Sequence, residues 1–377
     1  MILYEQDWLI TVWETMAATR SNVTAGSSWL QAMSDAASQL DITIQYCMPL
    51  PRHMLESTRH QPVTNARASG DYHPGSSQFE ISLSSLFYWS IGIAPSKDDY
   101  WTTEVQPGNP YGNSTSEPNW QLQAIVIALS TGPNGPSDGI GFTNASLVMS
   151  TVRGDGVTLQ PDRPATIMDV ALLAALAPGA PANSIPDVRS TWTAYGGHAY
   201  RFHHVLSTQL GSPFTFALED LGPAGDATAF AVFDWFNPLG GPIQVLTTSA
   251  KGTITTVAAT TPALSSFTIP HAQGQPSAPQ GAHSIEHYII IPQLPGGWWL
   301  FGEAGKVVPV SKQRIADLQV LADGFTATIL GASGELAGVS ILISAPGAKG
   351  ALSPVLCPSV AQKTATLTCT AGACTCG

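Results

Sequence analysis

Basic residues are scarce in this chain. Among 377 residues there are 15 Lys and Arg against 26 Asp and Glu, a net charge of −11. Phosphate binding is driven by Lys and Arg, and no basic stripe occurs, so nucleic acid is excluded as a partner. No apolar run reaches the roughly 18 residues of a membrane span, so a helical membrane segment is not expected. The opening MILYEQDWLITVW lacks a basic leader, and Glu5 and Asp7 interrupt its apolar run, so it does not read as a signal peptide. Charge amounts to 11% and hydrophobic residues to 44%. That balance excludes a disordered chain and calls for packed cores, enough for about two domains.

Cysteine is also sparse. Cys47 stands alone in an apolar strand and reads as a small core residue. The other four, Cys357, Cys369, Cys374 and Cys376, crowd the C-terminal end, where they read as disulfide staples formed in an oxidising compartment. Their CxxxxCxC spacing lacks the CxxC pair of a zinc site. Sequons at Asn22, Asn113 and Asn144 point the same way, toward a secretory or extracellular location.

What is present is organised in two styles. The first part alternates short apolar runs with helical patterns. Trp8 and Leu9 begin a helix-like run. Trp29 to Leu40 is amphipathic behind Ser27-Ser28, which suit a cap. Ile42 to Met48 and Val63 to Ser69 read as strands, Phe79 to Ile93 as a helix, Tyr100 to Val105 as a strand, and Trp120 to Leu129 as an apolar helix. This is the βα grammar of a parallel sheet or barrel, with strand tips near Asp7, Cys47, Asp71, Glu104 and Asp138. A closed barrel needs eight strands. Only five are counted, and the first begins at Met1, so the chain reads as the later part of something larger. After Pro186 strands recur without long helices, from Ala199 to Ser344, around a Pro/Gly/Gln loop at Gln273 to Ala282. That is the pattern of an all-β sandwich.

Carboxylates at strand tips carry the chemical signal, because tips of barrel strands converge on active sites. Asp7 and Asp71 stand two strands apart. Two carboxylates across a pocket serve retaining glycoside hydrolysis, one as nucleophile and one as proton donor. Either one also suits ordinary helix capping.

The order of motifs resembles the C-terminal half of the barrel in glycoside hydrolase clan D, specifically family 36 and the raffinose synthase/alkaline α-galactosidase group. The resemblance runs from Leu3 to about Ala165, with a β-domain behind it. In that family the fourth barrel strand ends in the Asp nucleophile, and Glu5-Gln6-Asp7 stands there. The sixth ends in an R-x-S/G-D-D-F-like run with the acid/base, and here reads Arg67-Ala68-Ser69-Gly70-Asp71-Tyr72. The seventh has an aromatic-rich tip, matched by Asp99-Tyr100-Trp101-Thr102-Thr103. The eighth is matched from Ala128 through Ser137-Asp138. Two departures stand out: the family's Lys before the nucleophile is replaced, with Glu5 two before Asp7, and its doubled Asp is a single Asp71.

The resemblance implies a partial (β/α)8 TIM barrel, strands 4 to 8, over residues 1–186. An antiparallel β-sandwich would follow over 187–377. It implies a retaining glycosidase or transglycosidase for α-galactoside-type oligosaccharides. Asp7 would be the nucleophile and Asp71 the acid/base. Glu5, Arg67, Trp101, Glu104 and Asp138 would bind sugar, and Trp8 and Trp89 are further stacking candidates. No cofactor or metal is called for. The expected partners are the oligosaccharide and either the missing barrel half or an oligomeric mate. The competing reading is a catalytically inactive carbohydrate-binding or structural relic.

Other signals rank lower. His53 and His60 read as solvated loop histidines. His283-Ser-Ile-Glu286-His287 fits the H-x-x-E-H zinc-protease pattern. A strand follows it, however, and on a strand the two His would be about 13 Å apart. The Gly132-to-Gly141 run lacks the G-K-[ST] ending of a nucleotide loop.

Overall fold

A computed structural model describes residues 2–75, 81–112, 114–178, 185–208, 210, 213–222, 225–236, 244–248, 254–256, 266–269, 285–331, 335, 339–347, 352–357 and 364–377. Asn113, His283, the Gln273–Ala282 loop and the start of the helix expected from Phe79 lie outside them. The chain divides into two compact units, Met1–Thr143 and Asn144–Gly377. The division falls earlier than the break expected at 186.

The first unit is α/β. Four parallel strands, β1 (Leu3–Gln6), β2 (Thr43–Tyr46), β3 (Val63–Arg67) and β4 (Ala94–Ser96), lie in sequential order β1-β2-β3-β4. Between and after them come α1 (Leu9–Thr15), α2 (Ala17–Ser21), α3 (Ala25–Gln39), α4 (Pro51–Ser57), α5 (Ser82–Ser90) and α6 (Trp120–Leu129). One sheet face is apolar. Ile44, Tyr46, Val63 and Ala66 share a core with Leu9, Leu30, Ala37, Met54 and Tyr88 from the helices. Val63 and Ala66 are three apart and would face opposite ways on a regular strand. A register shift opposite Ile44 and Gln45 adds Thr64 as an extra residue and brings both to the core. Glu5, Gln45 and Asn65 stand in one row across the strands.

Pro51 opens α4, where a missing N–H costs nothing. His53 Nδ1 accepts the Leu50 amide at 3.0 Å. His53 and His60 are both buried rather than solvated. α3 begins at Ala25 after Thr24, ahead of the Ser27-Ser28 cap expected. α6 is apolar and buried from Leu122 to Leu129. Behind it, a Cβ on Gly132 would come within 2.5 Å of the Pro95 carbonyl oxygen, so only glycine lets this turn press on β4.

The strand expected at Tyr100 to Val105 is corrected. The buried run Ala94–Ser96 takes the place beside β3 instead. Asp98-Asp99 then turn the chain aside, and Tyr100 keeps only an isolated parallel bridge to Pro136. The four strands form an open sheet in which β1 pairs with β2 alone among the described residues. Ile2 is 86% exposed at that edge.

The second unit is antiparallel β. It opens with α7 (Ala145–Thr151), β5 (Thr166–Ile167) and α8 (Asp169–Leu176). Then follow β6 (Val188–Tyr195), β7 (Tyr200–Thr208), β8 (Phe214–Ala217), β9 (Ala229–Asp234), β10 (Gln244–Thr248), β11 (Ile254–Thr256) and β12 (Ser266–Ile269). The last are β13 (Ile285–Leu294), β14 (Trp298–Glu303), β15 (Ile315–Leu321), β16 (Gly324–Leu330), β17 (Val339–Ser344), β18 (Ser353–Cys357), β19 (Thr364–Thr370) and β20 (Ala373–Cys376). β5 pairs with β6, which is why residues before 186 belong to this unit. A ten-stranded sheet and the four-stranded sheet β15-β16-β19-β20 share one hydrophobic core. The tail closes on itself through Cys357–Cys376 and Cys369–Cys374. Asn144 serves as the cap of α7, accepting the Leu147 amide at 3.1 Å. Asn22 accepts both the amide and hydroxyl of Thr24.

Candidate active site

The strands of the first unit all end at one edge of the sheet, and the acidic residues gather there. Asp7 follows β1, Cys47 follows β2, Asp71 lies four residues past β3, and Lys97-Asp98-Asp99 follow β4. The β1–β2 register sets Gln6 beside Tyr46, so Asp7 and Cys47 are neighbours. Burial, and then the neighbouring Asp7 carboxylate, push the Cys47 thiol pKa well up, against the pull of Arg67. The Trp8 amide donates to Asp7 Oδ1, at 2.6 Å. Trp8 and Met48, one step past Asp7 and Cys47, have φ of 61° and 50°. Bulky residues seldom enter the left-handed region, and such strain concentrates at functional sites.

Arg67 organises the other half of the edge. Its side chain is 9% exposed; Nη2 donates to Asp71 Oδ1 at 2.5 Å and Nη1 lies 3.3 Å from Asp98 Oδ2. Asp98 Oδ2 accepts the Tyr72 amide at 2.6 Å, and the Asp98 amide donates to Ser69 Oγ at 2.9 Å. The loops after β3 and β4 are thereby tied together. Asp71 remains 53% open to solvent. The carboxyl pKa of Asp99 is raised, first by desolvation and then by Asp98.

Beneath this edge lies a fixed polar layer. Lys97 is buried, donates to the Asp98 and Asp99 carbonyls at 3.3 and 3.0 Å, and sits 5.2 Å from the Tyr72 ring centroid. Burial lowers its pKa to about 8, against the opposing pull of Asp98, Asp99 and Glu117. Glu117 is fully buried. It accepts from the Tyr72 hydroxyl at 2.9 Å, the Gly75 and Asn119 amides at 3.2 and 2.8 Å, and Gln123 Nε2 at 3.2 Å. This carboxylate anchors the residue next to Asp71.

The sequence candidates divide accordingly. Asp7, Arg67 and Asp71 stand at the same edge. Glu5 lies one pair behind it, with Gln45 Nε2 donating to it at 3.3 Å. Trp101 is 3% exposed, so it presents no open face. Trp8 and Trp89 are exposed. Both oxygens of Asp138 are occupied, by the Thr102 amide at 2.8 Å, the Thr102 hydroxyl at 2.7 Å and Gln106 Nε2. Asp138 therefore anchors a loop. Glu104 is half-buried, and its carbonyl accepts the Glu117 amide at 2.8 Å. The sequence reading missed Asp98, Lys97, Glu117 and the Cys47–Asp7 pairing. The signal for two of them was an apolar Ile93–Pro95 run ending in Lys97-Asp98-Asp99, the same strand-then-acid pattern as at Asp7.

Glu286 and His287 lie on β13, so adjacent side chains point opposite ways. His287 pairs with His204 in the core, its Nε2 lying 3.2 Å from His204 Nδ1. Among the described residues no three His, Cys, Asp or Glu side chains converge as a metal site.

No family model matches this chain, family 36 included, and no curated protein matches it. One similar solved structure is AbfB, a family 51 alpha-L-arabinofuranosidase from Bifidobacterium longum, with a TM-score of 0.26 and 10% identity. The alignment covers 71% of this chain and spans 61% of that enzyme. A likeness at that level carries no argument.

Proposed function

We propose that the first unit is the catalytic part of a carbohydrate-active enzyme, a retaining glycosidase or transglycosidase of the α-galactoside type. The parallel sheet would belong to a (β/α)8 barrel, with Asp7 as nucleophile and Asp71 as acid/base. One observation carries the reading. Asp7 and Asp71 stand at the same edge of a parallel sheet, Asp7 beside Cys47 and Asp71 paired with Arg67, with Asp71 open to solvent. The motif resemblance supports the same pair.

In the reaction, an Asp7 oxygen attacks the anomeric carbon as the bond to the leaving oxygen breaks. Asp71 gives that oxygen its proton. Water or a sugar hydroxyl then attacks the anomeric carbon, Asp71 takes its proton, and the bond to Asp7 breaks. Arg67, clamped between Asp71 and Asp98, fixes where the acid points. The Trp8 amide does the same for Asp7.

The test is turnover of 4-nitrophenyl α-galactoside by Asp7→Asn and Asp71→Asn. Both lose activity, in different ways. Azide rescues Asp7→Asn with inversion, giving the β-azide, and rescues Asp71→Asn with retention. Asp71→Asn also keeps more activity on good leaving groups than on raffinose. Wild-type turnover of raffinose by Asp71→Asn removes it as the acid, and Glu104 becomes the next candidate.

One observation favours the non-catalytic reading: Asp71 is already engaged by Arg67 at 2.5 Å. Saturable binding of raffinose with no turnover of any activated galactoside is the outcome that selects it.

A further inference from the structure

Resting on the glycosidase reading, we infer that Tyr111 is the platform on which the leaving-group or acceptor sugar stacks. An acid/base carboxyl meets the oxygen shared by the two sugars. Groups on its outward side therefore face the aglycone, whereas groups around the nucleophile face the sugar being transferred.

Tyr111 comes from the loop between β4 and α6 and is 43% exposed. Its ring meets His73 edge-on at 5.6 Å and Trp101 at 6.0 Å. Its hydroxyl donates to the Tyr72 carbonyl, next to Asp71, at 3.4 Å. The loop beneath it is built to hold this position. Asn109 Oδ1 accepts the Tyr111 amide at 2.9 Å, and Asn109 Nδ2 donates to the Gln106 and Gly112 carbonyls at 2.8 and 3.2 Å. Partial burial, and then Asp99, Asp98 and Asp71, raise the pKa of the Tyr111 hydroxyl, which puts the ring within the field of all three carboxylates.

An exposed aromatic ring, braced on two sides and set beside the proposed proton donor, suits the apolar C–H face of a pyranose. The buried Trp101 supports that ring from behind instead of meeting sugar itself.

The experiment compares Tyr111→Ala and Tyr111→Phe on two substrates, raffinose and α-galactosyl fluoride. The fluoride has no leaving-group sugar and reads the catalytic machinery alone. Tyr111→Ala is expected to lower kcat/KM on raffinose about tenfold and to leave the fluoride unchanged. Tyr111→Phe is expected to keep both activities. Equal losses on the two substrates, or no loss on raffinose, overturn the platform role and leave the catalytic reading standing. No turnover of the fluoride by the unaltered chain overturns the catalytic reading, and the platform with it.

Discussion

Arg67 in the first unit and Arg314 in the second each bridge two carboxylates. Arg67 holds Asp71 at 2.5 Å and Asp98 at 3.3 Å. Arg314 holds Glu303 at 2.6 Å and Glu335 at 2.9 Å. The surroundings differ. Glu303 also has Lys306 at 3.5 Å, and Arg314 itself is fully buried and donates to the Leu330 carbonyl at 2.5 Å. That network is closed, with two cations matching two carboxylates. Around Arg67 acids outnumber bases: Asp71, Asp98 and Asp99 stand against Arg67 and Lys97, and Asp71 faces water. Removing one member of the enclosed network would strand a buried charge. The acid-rich, open edge is where the proposed chemistry would sit, and perturbed groups collect at such sites.

Substitutions can break or sharpen this contrast. The largest effect is expected for Asp7→Asn, which should cut turnover on the order of 10⁴-fold. Its unfolding free energy should stay within about 0.5 kcal/mol of the unaltered chain. A large loss of stability with unchanged activity would place Asp7 among structural charges.

Next comes acid. Burial holds His203 and His204 at pKa values of about 3, His203 also under the influence of Arg201 and Arg163, and His287 falls well below its usual value. The unfolded chain takes up these protons below pH 6.5 and the folded unit does not. Stability is therefore complete above pH 6.5 and falls as pH drops toward 3. His203 and His204 together should cost on the order of 5 kcal/mol between pH 7 and 4.5. In the first unit His53 is lowered to about 4 and His60 is lowered too; over this pH range His53 alone should cost about half as much as His203 and His204 together. Denaturant unfolding at both pH values, followed by Trp fluorescence, measures it. Greater acid loss in the first unit would reverse the contrast.

Arg314→Met should destabilise the second unit by about 3–5 kcal/mol, because it strands Glu303 and Glu335 in the interior. Turnover per folded molecule should not change. A selective loss of turnover would make Arg314 part of the site. A smaller effect is expected from Cys357→Ala/Cys376→Ala. Opening that 19-residue loop should cost about 3 kcal/mol, read as a lower midpoint for protein made in an oxidising compartment. An unchanged midpoint would mean that the tail does not support the second unit.

Much of this was legible in the sequence, for physical reasons. Trp120–Leu129 emerged as a helix at the expected bounds because a ten-residue apolar run between turn residues leaves little choice. The parallel βα alternation and the antiparallel second unit were readable for the same reason: side-chain periodicity reports burial. β4 was misread because Ala94-Pro95-Ser96 is short, carries a proline and owes its place to pairing with β3. Tyr100–Val105 looked more strand-like, yet Thr102 and Gln106 are committed to Asp138. The register shift beside Thr64 was equally invisible, since it is set by the partner strand. Asp7 and Asp71 could be placed at strand ends from sequence, and the structure puts both, with Arg67, at one edge of the sheet. That Cys47 neighbours Asp7 and that Arg67 pairs with Asp98 could not be read, because these residues are 40 and 31 positions apart.

The nucleophile can be identified most directly by trapping it. 5-Fluoro-α-galactosyl fluoride forms a glycosyl-enzyme quickly and releases it slowly, so peptide mass spectrometry of the quenched protein reads the attachment point. The expected result is one fluorogalactosyl group on the Asp7 carboxylate, absent from Asp7→Asn. A label on Asp71, Asp98 or Asp99, or release of fluoride with no covalent adduct, would contradict Asp7 as the nucleophile of an open acidic edge.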